Sequence, residues 1–260
     1  MRNPALIGLA VLAALSLAAA SQTPDYWLAQ ATRDYYNGSY FLALQDIEEY
    51  LRTNGSDVEA WNSKGLILEK MKRYDDAVEA YNNAISFDGS NVAALSNKGL
   101  IQAGALGDYS GSVESLNRAL EIDPQDARTW YNLGLVLVSM ESYDQSLKAF
   151  QNATDLNPSL ATAWYHQGRV LARLERYNAS LAALDEATRL DSGYAAAWNK
   201  KGLVLMELGR QKDALEAFQE ALKIEPANVE AAENKKKAEE ALGGVSQSTV
   251  ALWSGEIPGK

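Results

Sequence analysis

ARTWYNLGLVLVSMESYDQSLKAFQNATDLNPSL, residues 127 to 160, is the unit from which this chain is built. Trp130, Trp164 and Trp198 stand 34 residues apart, as do Gly134, Gly168 and Gly202, and Trp27 and Trp61 carry the interval upstream. A fixed period of this length marks an array of stacked supersecondary units. Inside the unit, Trp130, Leu133, Leu137 and Val138 form one apolar stripe at helical spacing. Ser139 to Ser142 is a polar break. Tyr143, Leu147, Phe150 and Ala153 form a second stripe. Asn157-Pro158 ends it, because proline lacks the amide hydrogen and biases its predecessor away from helix. So short a connection permits only an antiparallel helical hairpin.

Small residues recur inside the helices. Gly65, Gly99, Gly134, Gly168 and Gly202 each accept a helix-interior penalty of about 1 kcal/mol against alanine, which predicts close approach by a neighbouring helix. In the second helices one small site holds Ala43, Ala77, Ser112, Ser146, Ser180 and Ala214, and a later one holds Ala84, Ala119, Ala153, Ala187 and Ala221. Between them stands a large residue: Ile47, Tyr81, Leu116, Phe150, Leu184 or Phe218. Large and small sites therefore alternate at fixed offsets, as interlocking hairpins require.

The Trp-x-x-Leu-Gly opening (Trp130, Leu133, Gly134), followed by the Tyr-Asp, Ala, Phe, Ala and Pro sites, closely resembles the tetratricopeptide repeat. The resemblance covers about residues 24 to 242. It implies an all-α, right-handed solenoid of about six helical hairpins, whose first helices line a concave groove, and a scaffold or peptide-binding role. The repeats read as 24–57, 58–91, 92–126, 127–160, 161–194 and 195–228. In the first, Ala31 replaces the glycine and Tyr50 the late alanine. Its start signal is Thr23-Pro24-Asp25: an N-cap, a first-turn proline and an acid at the positive helix end. In the third, Leu95 replaces tryptophan, and the surplus residue falls in Gly104-Ala105-Leu106-Gly107, which predicts a looser turn with the hairpin packing intact. Residues 229–242 read as a capping helix, because Lys235, Lys236 and Lys237 fill the region of the glycine. Gly243-Gly244 is expected to end it. Residues 243–260 read as a flexible tail, and Trp253 lies off the lattice.

A net charge of −10 over 260 residues argues against nucleic-acid binding, which needs clustered Lys and Arg. The absence of cysteine excludes disulfides, thiolate metal sites and a lipid-modified cysteine. Residues 1–20, MRNPALIGLAVLAALSLAAA, resemble a secretory signal peptide, with Arg2, an apolar run and small residues before Ser21. The alternative is an uncleaved membrane anchor over residues 5–20, although its apolar run is shorter than the ~20 residues that a spanning helix needs. Either way the repeats are expected outside the cytoplasm.

His166 is the sole histidine, so triads, Cys-His dyads and zinc sites are ruled out. No cofactor is implied and an enzyme is not expected. Acid pairs such as Asp75-Asp76 and Glu48-Glu49 read as solvated second-helix charge. By the geometry the resemblance implies, Tyr131, Asn132, Tyr165, His166, Arg169, Arg173, Asn199 and Lys200 point into the groove, with Arg128 at its lip. These make a basic, aromatic and amide-bearing strip suited to the backbone and carboxylates of an extended peptide. The lysine-and-asparagine clamp of some relatives does not fit, since Leu66, Leu100, Leu135 and Leu203 hold the sites of its asparagine. Asn37, Asn54, Asn152 and Asn178 head glycosylation sequons.

These features lead to a non-enzymatic, exported scaffold that binds a protein or peptide partner. A self-associating spacer of an envelope assembly is the alternative, and glycan binding is a weaker one.

Overall fold

The computed structural model describes residues 23–254 of the chain, and side chains through residue 243. The proposed leader, residues 1–20, and the end of the tail, residues 255–260, lie outside the described residues. The described residues form thirteen helices, in two compact units that divide after Pro124. The first unit holds α1 (Pro24–Tyr36), α2 (Tyr40–Thr53), α3 (Val58–Lys70), α4 (Tyr74–Phe87), α5 (Val92–Gly104) and α6 (Tyr109–Ile122). The second holds α7 (Ala127–Ser139), α8 (Tyr143–Leu156), α9 (Ala161–Arg173), α10 (Tyr177–Leu190), α11 (Ala195–Glu207), α12 (Gln211–Ile224) and α13 (Val229–Ser254). The fold is all-α, and each 34-residue unit of the sequence is one hairpin. Among the described residues no helix is long and apolar enough to cross a membrane.

Five of the six hairpins close on a glycine; the first has Ala31 in its place. A Cβ at Gly65 would lie 2.4 Å from the Tyr81 ring, at Gly134 2.6 Å from Phe150, and at Gly202 2.4 Å from Phe218. These rings are fully buried, each contributing about 1.5–3 kcal/mol by area. The missing Cβ therefore makes room for the large residue of the same hairpin. Small residues at the flanking sites are equally buried, including Ala43, Ala77, Ser146, Ser180 and Ala214. Second helices then pack on the next first helix: α2 on α3 and α4 on α5 in one unit, α8 on α9, α10 on α11 and α12 on α13 in the other. First helices also touch each other, α3 with α5, and α7 with α9, α9 with α11 and α11 with α13. Trp61, Trp164 and Trp198 are half-buried latches whose indole N–H groups donate to the preceding turn, to Gly55 O, Pro158 O and Ser192 O respectively.

Turns inside the hairpins share one device. Gly38, Lys72, Gly107, Glu141, Glu175 and Gly209 all have positive φ, between 56° and 77°. In five hairpins the next amide bonds back five residues, as in Ser142 N to Leu137 O and Arg210 N to Leu205 O. This is the left-handed closure that satisfies the last helical carbonyls. Lys72, Glu141 and Glu175 accept it without glycine's freedom, so the expected Gly signal is missing from half of the turns.

The third hairpin carries its surplus residue in this turn. Its closing bond spans six residues, Asp108 N to Gln102 O at 2.7 Å. The turn is not loose, however. Asp108 accepts from Gly111 N and from Gln102 Nε2, and Ser115 Oγ donates to Gln102 Oε1. A side-chain network replaces the register that the insertion disturbs. The disturbance persists one step on: Ser112 Oγ is buried without a partner, whereas Ser146 and Ser180 donate to Gly134 O and Gly168 O.

Two expectations at the ends are corrected. Thr23 occupies the N-cap position of α1, but its side chain makes no capping bond. The last helix does not stop at Leu242; α13 runs through Gly243-Gly244 to Ser254. Gly243 keeps ordinary helical torsions, and a glycine there costs only about 1 kcal/mol, which the flanking helix formers offset. The near end behaves as a cap: Ala231, Asn234 and Ala238 are buried, while Lys236 and Lys237 are exposed.

Candidate functional site

The second unit gathers an aromatic and cationic cluster around α9. Tyr165 and Arg169 share one face of that helix at i and i+4, and Arg173 continues it a turn later. His166 packs inward and stacks on Phe150 of α8, with ring centroids 5.6 Å apart and planes at 21°. The edges of Tyr131 and Tyr165 close on it at 5.6 and 5.1 Å. Tyr165 in turn meets Tyr194 at 4.8 Å. The Arg169 guanidinium lies 5.5 Å from the Tyr165 ring, and Arg173 lies 5.8 Å from that of Tyr143. A cavity of about 400 Å³ opens here, lined by Tyr143, His166, Arg169, Arg173 and Lys200 among others.

Burial, reinforced by Arg169, holds the His166 imidazole down at about 4. It is neutral at ordinary pH. Arg169 Nη1 lies 3.5 Å from His166 Nδ1, and since a guanidinium only donates, Nδ1 is the acceptor and the ring proton sits on Nε2. Burial and then Arg169 push Lys200 below the usual lysine range, against the pull of Glu230 and Glu207. Burial raises Tyr194 to about 12, with Tyr165 and Tyr131 adding to it. Burial also raises Tyr131, against its hydrogen bond with Thr162 and the charge of Arg169. Among the described residues none of Arg169, Arg173 and Lys200 forms an ion pair. The cluster is a cationic recess with aromatic walls, equipped to hold an anion. Among the described residues no group of three or more His, Cys, Asp or Glu is placed to hold a metal ion.

Six of the nine groove residues meet in this cluster: Tyr131, Tyr165, His166, Arg169, Arg173 and Lys200. Three do not. Asn132 and Asn199 are 7% and 6% exposed, and Asn199 Oδ1 accepts from Asn234 Nδ2 at 3.1 Å, tying α11 to α13. Both amides are thus buried between helices, and that of Asn199 is engaged within the chain. Arg128 is exposed on the first turn of α7 and does not line the cavity.

Tyr143, Phe150 and Tyr194 complete the cluster; the sequence reads the first two as core of the second helix and none of the three as groove residues. A signal for Tyr194 was present in the capping pattern. Asp57, Asn91 and Asp126 cap α3, α5 and α7 through side-chain oxygens. Tyr194 holds that position before α11 and makes no such bond. A cap is worth about 1 kcal/mol, so an aromatic ring here marks a different use.

The sequons separate. Asn37 and Asn54 sit at the C-termini of α1 and α2. In the other two the hydroxyl is buried and bonded: Thr154 to Gln151 O, and Ser180 to Gly168 O. The folded chain does not present Asn152 or Asn178 in open sequons.

The first unit has a smaller recess between α1 and α3, about 130 Å³, lined by Leu28, Tyr35, Tyr36, Ile47, Ser63 and Leu66 among others. It is apolar.

Family models described as tetratricopeptide repeat match residues 131–195, 167–229 and 58–91, and one described as TPR repeat matches residues 105–141. Together they cover more than half of the chain. The cytochrome c-type biogenesis protein CycH of Bradyrhizobium diazoefficiens is 33% identical over 116 residues, 43% of this chain and 31% of that protein. The chain spans about a third or less of the length of the curated relatives it matches. Among solved structures, YrrB, described as a TPR protein with an unusual peptide-binding site, superposes with TM-score 0.63 at 24% identity, covering 73% of this chain and 97% of YrrB. PilF of Pseudomonas aeruginosa gives 0.71 at 18% identity, covering 82% and 97%.

Proposed function

We propose that this chain, which belongs to the tetratricopeptide repeat family, is an exported scaffold that holds an extended peptide of a partner protein against α7, α9 and α11. A role in protein–protein interaction is the general one for the family. The observation that carries the more specific reading is the recess around His166, where Arg169 and Arg173 are each held against a tyrosine ring with no internal counter-ion. Exposed guanidinium groups positioned this way favour carboxylate and backbone carbonyl groups of a ligand. Catalysis fits poorly. The one imidazole has Nδ1 engaged by Arg169 and titrates near 4, which makes it a weak base at neutral pH. Export is supported by residues 1–20 alone.

The test is a cross-linking pull-down of Ser21–Lys260 from its own cell envelope, beside an Arg169→Ala, Arg173→Ala variant of unchanged circular dichroism. A partner captured by the parent and lost with the variant is expected. Equal capture by both would move binding away from this recess. Fractionation of the full chain to the cytoplasm would overturn export.

A second reading, self-association, draws on the first hairpin, where Tyr36 and Phe41 are 81% and 71% exposed. Sedimentation as a monomer at all concentrations would remove it.

A further inference from the structure

Arg169 and Arg173 line one cavity from one helix face, four residues apart. Four residues of α-helix rise about 6 Å. Alternate residues of an extended chain lie about 6.6 Å apart and project to the same side. The two spacings match. An extended segment running along α9 can therefore set one side chain against each guanidinium, with the intervening residue turned away. Each cation is already positioned over a ring, Arg169 over Tyr165 and Arg173 over Tyr143. A guanidinium has five N–H donors, so Arg169 keeps donors for a carboxylate beyond the Nη1 that faces His166.

The geometry points to an acidic peptide of the form Asp/Glu-x-Asp/Glu as the ligand of this recess, its alternate carboxylates paired with Arg169 and Arg173 and its flank facing Lys200. The assignment rests on the reading that the second unit holds a partner's peptide, and it names the chemistry of that peptide. Three observations favour side-chain carboxylates. The lining contains three cations and no carboxylate. Burial, and then Arg169, hold Lys200 below the usual lysine range against Glu230 and Glu207, so its charge is favoured further once an anion enters. The remainder of the chain is acidic, with a net charge of −10, so an acidic segment is disfavoured over the surface at large and accepted at α9.

The experiment is fluorescence anisotropy of the full mature chain with short labelled peptides, acetylated and amidated so that no terminal charge remains. Probes carry Glu-Ser-Glu, adjacent Glu-Glu, a single Glu, or Gln-Ser-Gln in a common neutral frame, beside a single-Glu peptide with a free C-terminus. Glu-Ser-Glu is expected to bind at least about tenfold more tightly than the single-Glu and Gln probes, and to weaken as salt rises. Arg169→Gln and Arg173→Gln should each reduce this by about fivefold to tenfold, and Lys200→Gln by about threefold. Equal binding of Glu-Glu and Glu-Ser-Glu would overturn the spacing. Preference for the free C-terminus would make the recess a terminal-carboxylate site and overturn the assignment. If no acidic probe binds while the envelope partner is still lost from the Arg169→Ala, Arg173→Ala variant, the acidic ligand fails and the peptide groove stands. If the partner is also retained by that variant, both fail.

Discussion

In the first unit the recess beside α3 is lined by Ser63, Leu66 and Ile67, with Tyr35 and Ile47 opposite. In the second, the recess beside α9 is lined by His166, Arg169 and Val170, with Val138 from the preceding first helix and Phe150 beneath the imidazole. These are the same positions of the repeat. Leu66 corresponds to Arg169, Ser63 to His166 and Ile47 to Phe150. The hairpins beneath them are alike in helix length, in the glycine that admits the large residue and in the turn that closes them. A mainly apolar crevice and a cationic recess thus differ by a few side chains on a shared frame. The residues that set the lining, such as Leu66 and Arg169, stand one helical step from the glycines that set the hairpin packing.

The largest expected effect tests whether the frame is in fact shared. Gly65→Ala and Gly202→Ala should each destabilise by about 1–3 kcal/mol, because the new methyl meets a buried ring that has no room to move. Gly104→Ala meets nothing within 4 Å and should be neutral or stabilise by up to about 1 kcal/mol. Hydrogen exchange read separately at α3 and α11 is the measurement. A loss confined to one unit would break the equivalence.

A smaller effect separates the regular hairpins from the third. Ser146→Ala removes a buried bond to Gly134 O and should cost about 1 kcal/mol. Ser112→Ala removes a buried hydroxyl with no partner and should be neutral or stabilising by up to about 1 kcal/mol. Alanine already fills this site as Ala43, Ala77 and Ala214. Denaturant midpoints of the two variants check the contrast, and equal losses would mean that Ser112 is bonded after all.

The smallest effect belongs to the recess of the second unit. The single histidine allows a clean NMR titration, with a midpoint expected near 4 instead of 6.5. The unfolded chain takes up this proton near 6.5 and the folded chain only near 4. Its contribution to stability is therefore complete above about 6.5 and is lost as pH falls toward 4. Burial is the larger cause and Arg169 the smaller, so Arg169→Gln should raise the midpoint only partway. A midpoint near 6.5 in the parent chain would mean an open His166 and a different recess.

Much of this was legible before folding. The five mid-helix glycines, the large residue of each second helix and the flanking alanines announced the interlock because each contact is made inside one hairpin, at a fixed short separation in sequence. The surplus residue of the third repeat was placed in its turn for the same reason. Asn132 and Asn199 were read as groove ligands because periodicity gives the direction of a side chain and not the neighbour that covers it; Asn234 of α13 claims Asn199. Tyr143, Phe150 and Tyr194 reach the recess from α8 and the turn before α11, and no stripe on α9 could reveal them.

The sequence by itself determined the all-α hairpin array and the interlock within each hairpin, since these depend on helical period, on proline and on small residues at constant offsets. Tertiary structure alone decided which polar side chains remain open. It buried two amides, drew three unpaired cations and a neutral imidazole around one cavity, and carried α13 past Gly243-Gly244. Those outcomes turn on packing between successive hairpins, where the identity of the covering residue sets burial and charge, and a repeat pattern is the same whichever residue that is.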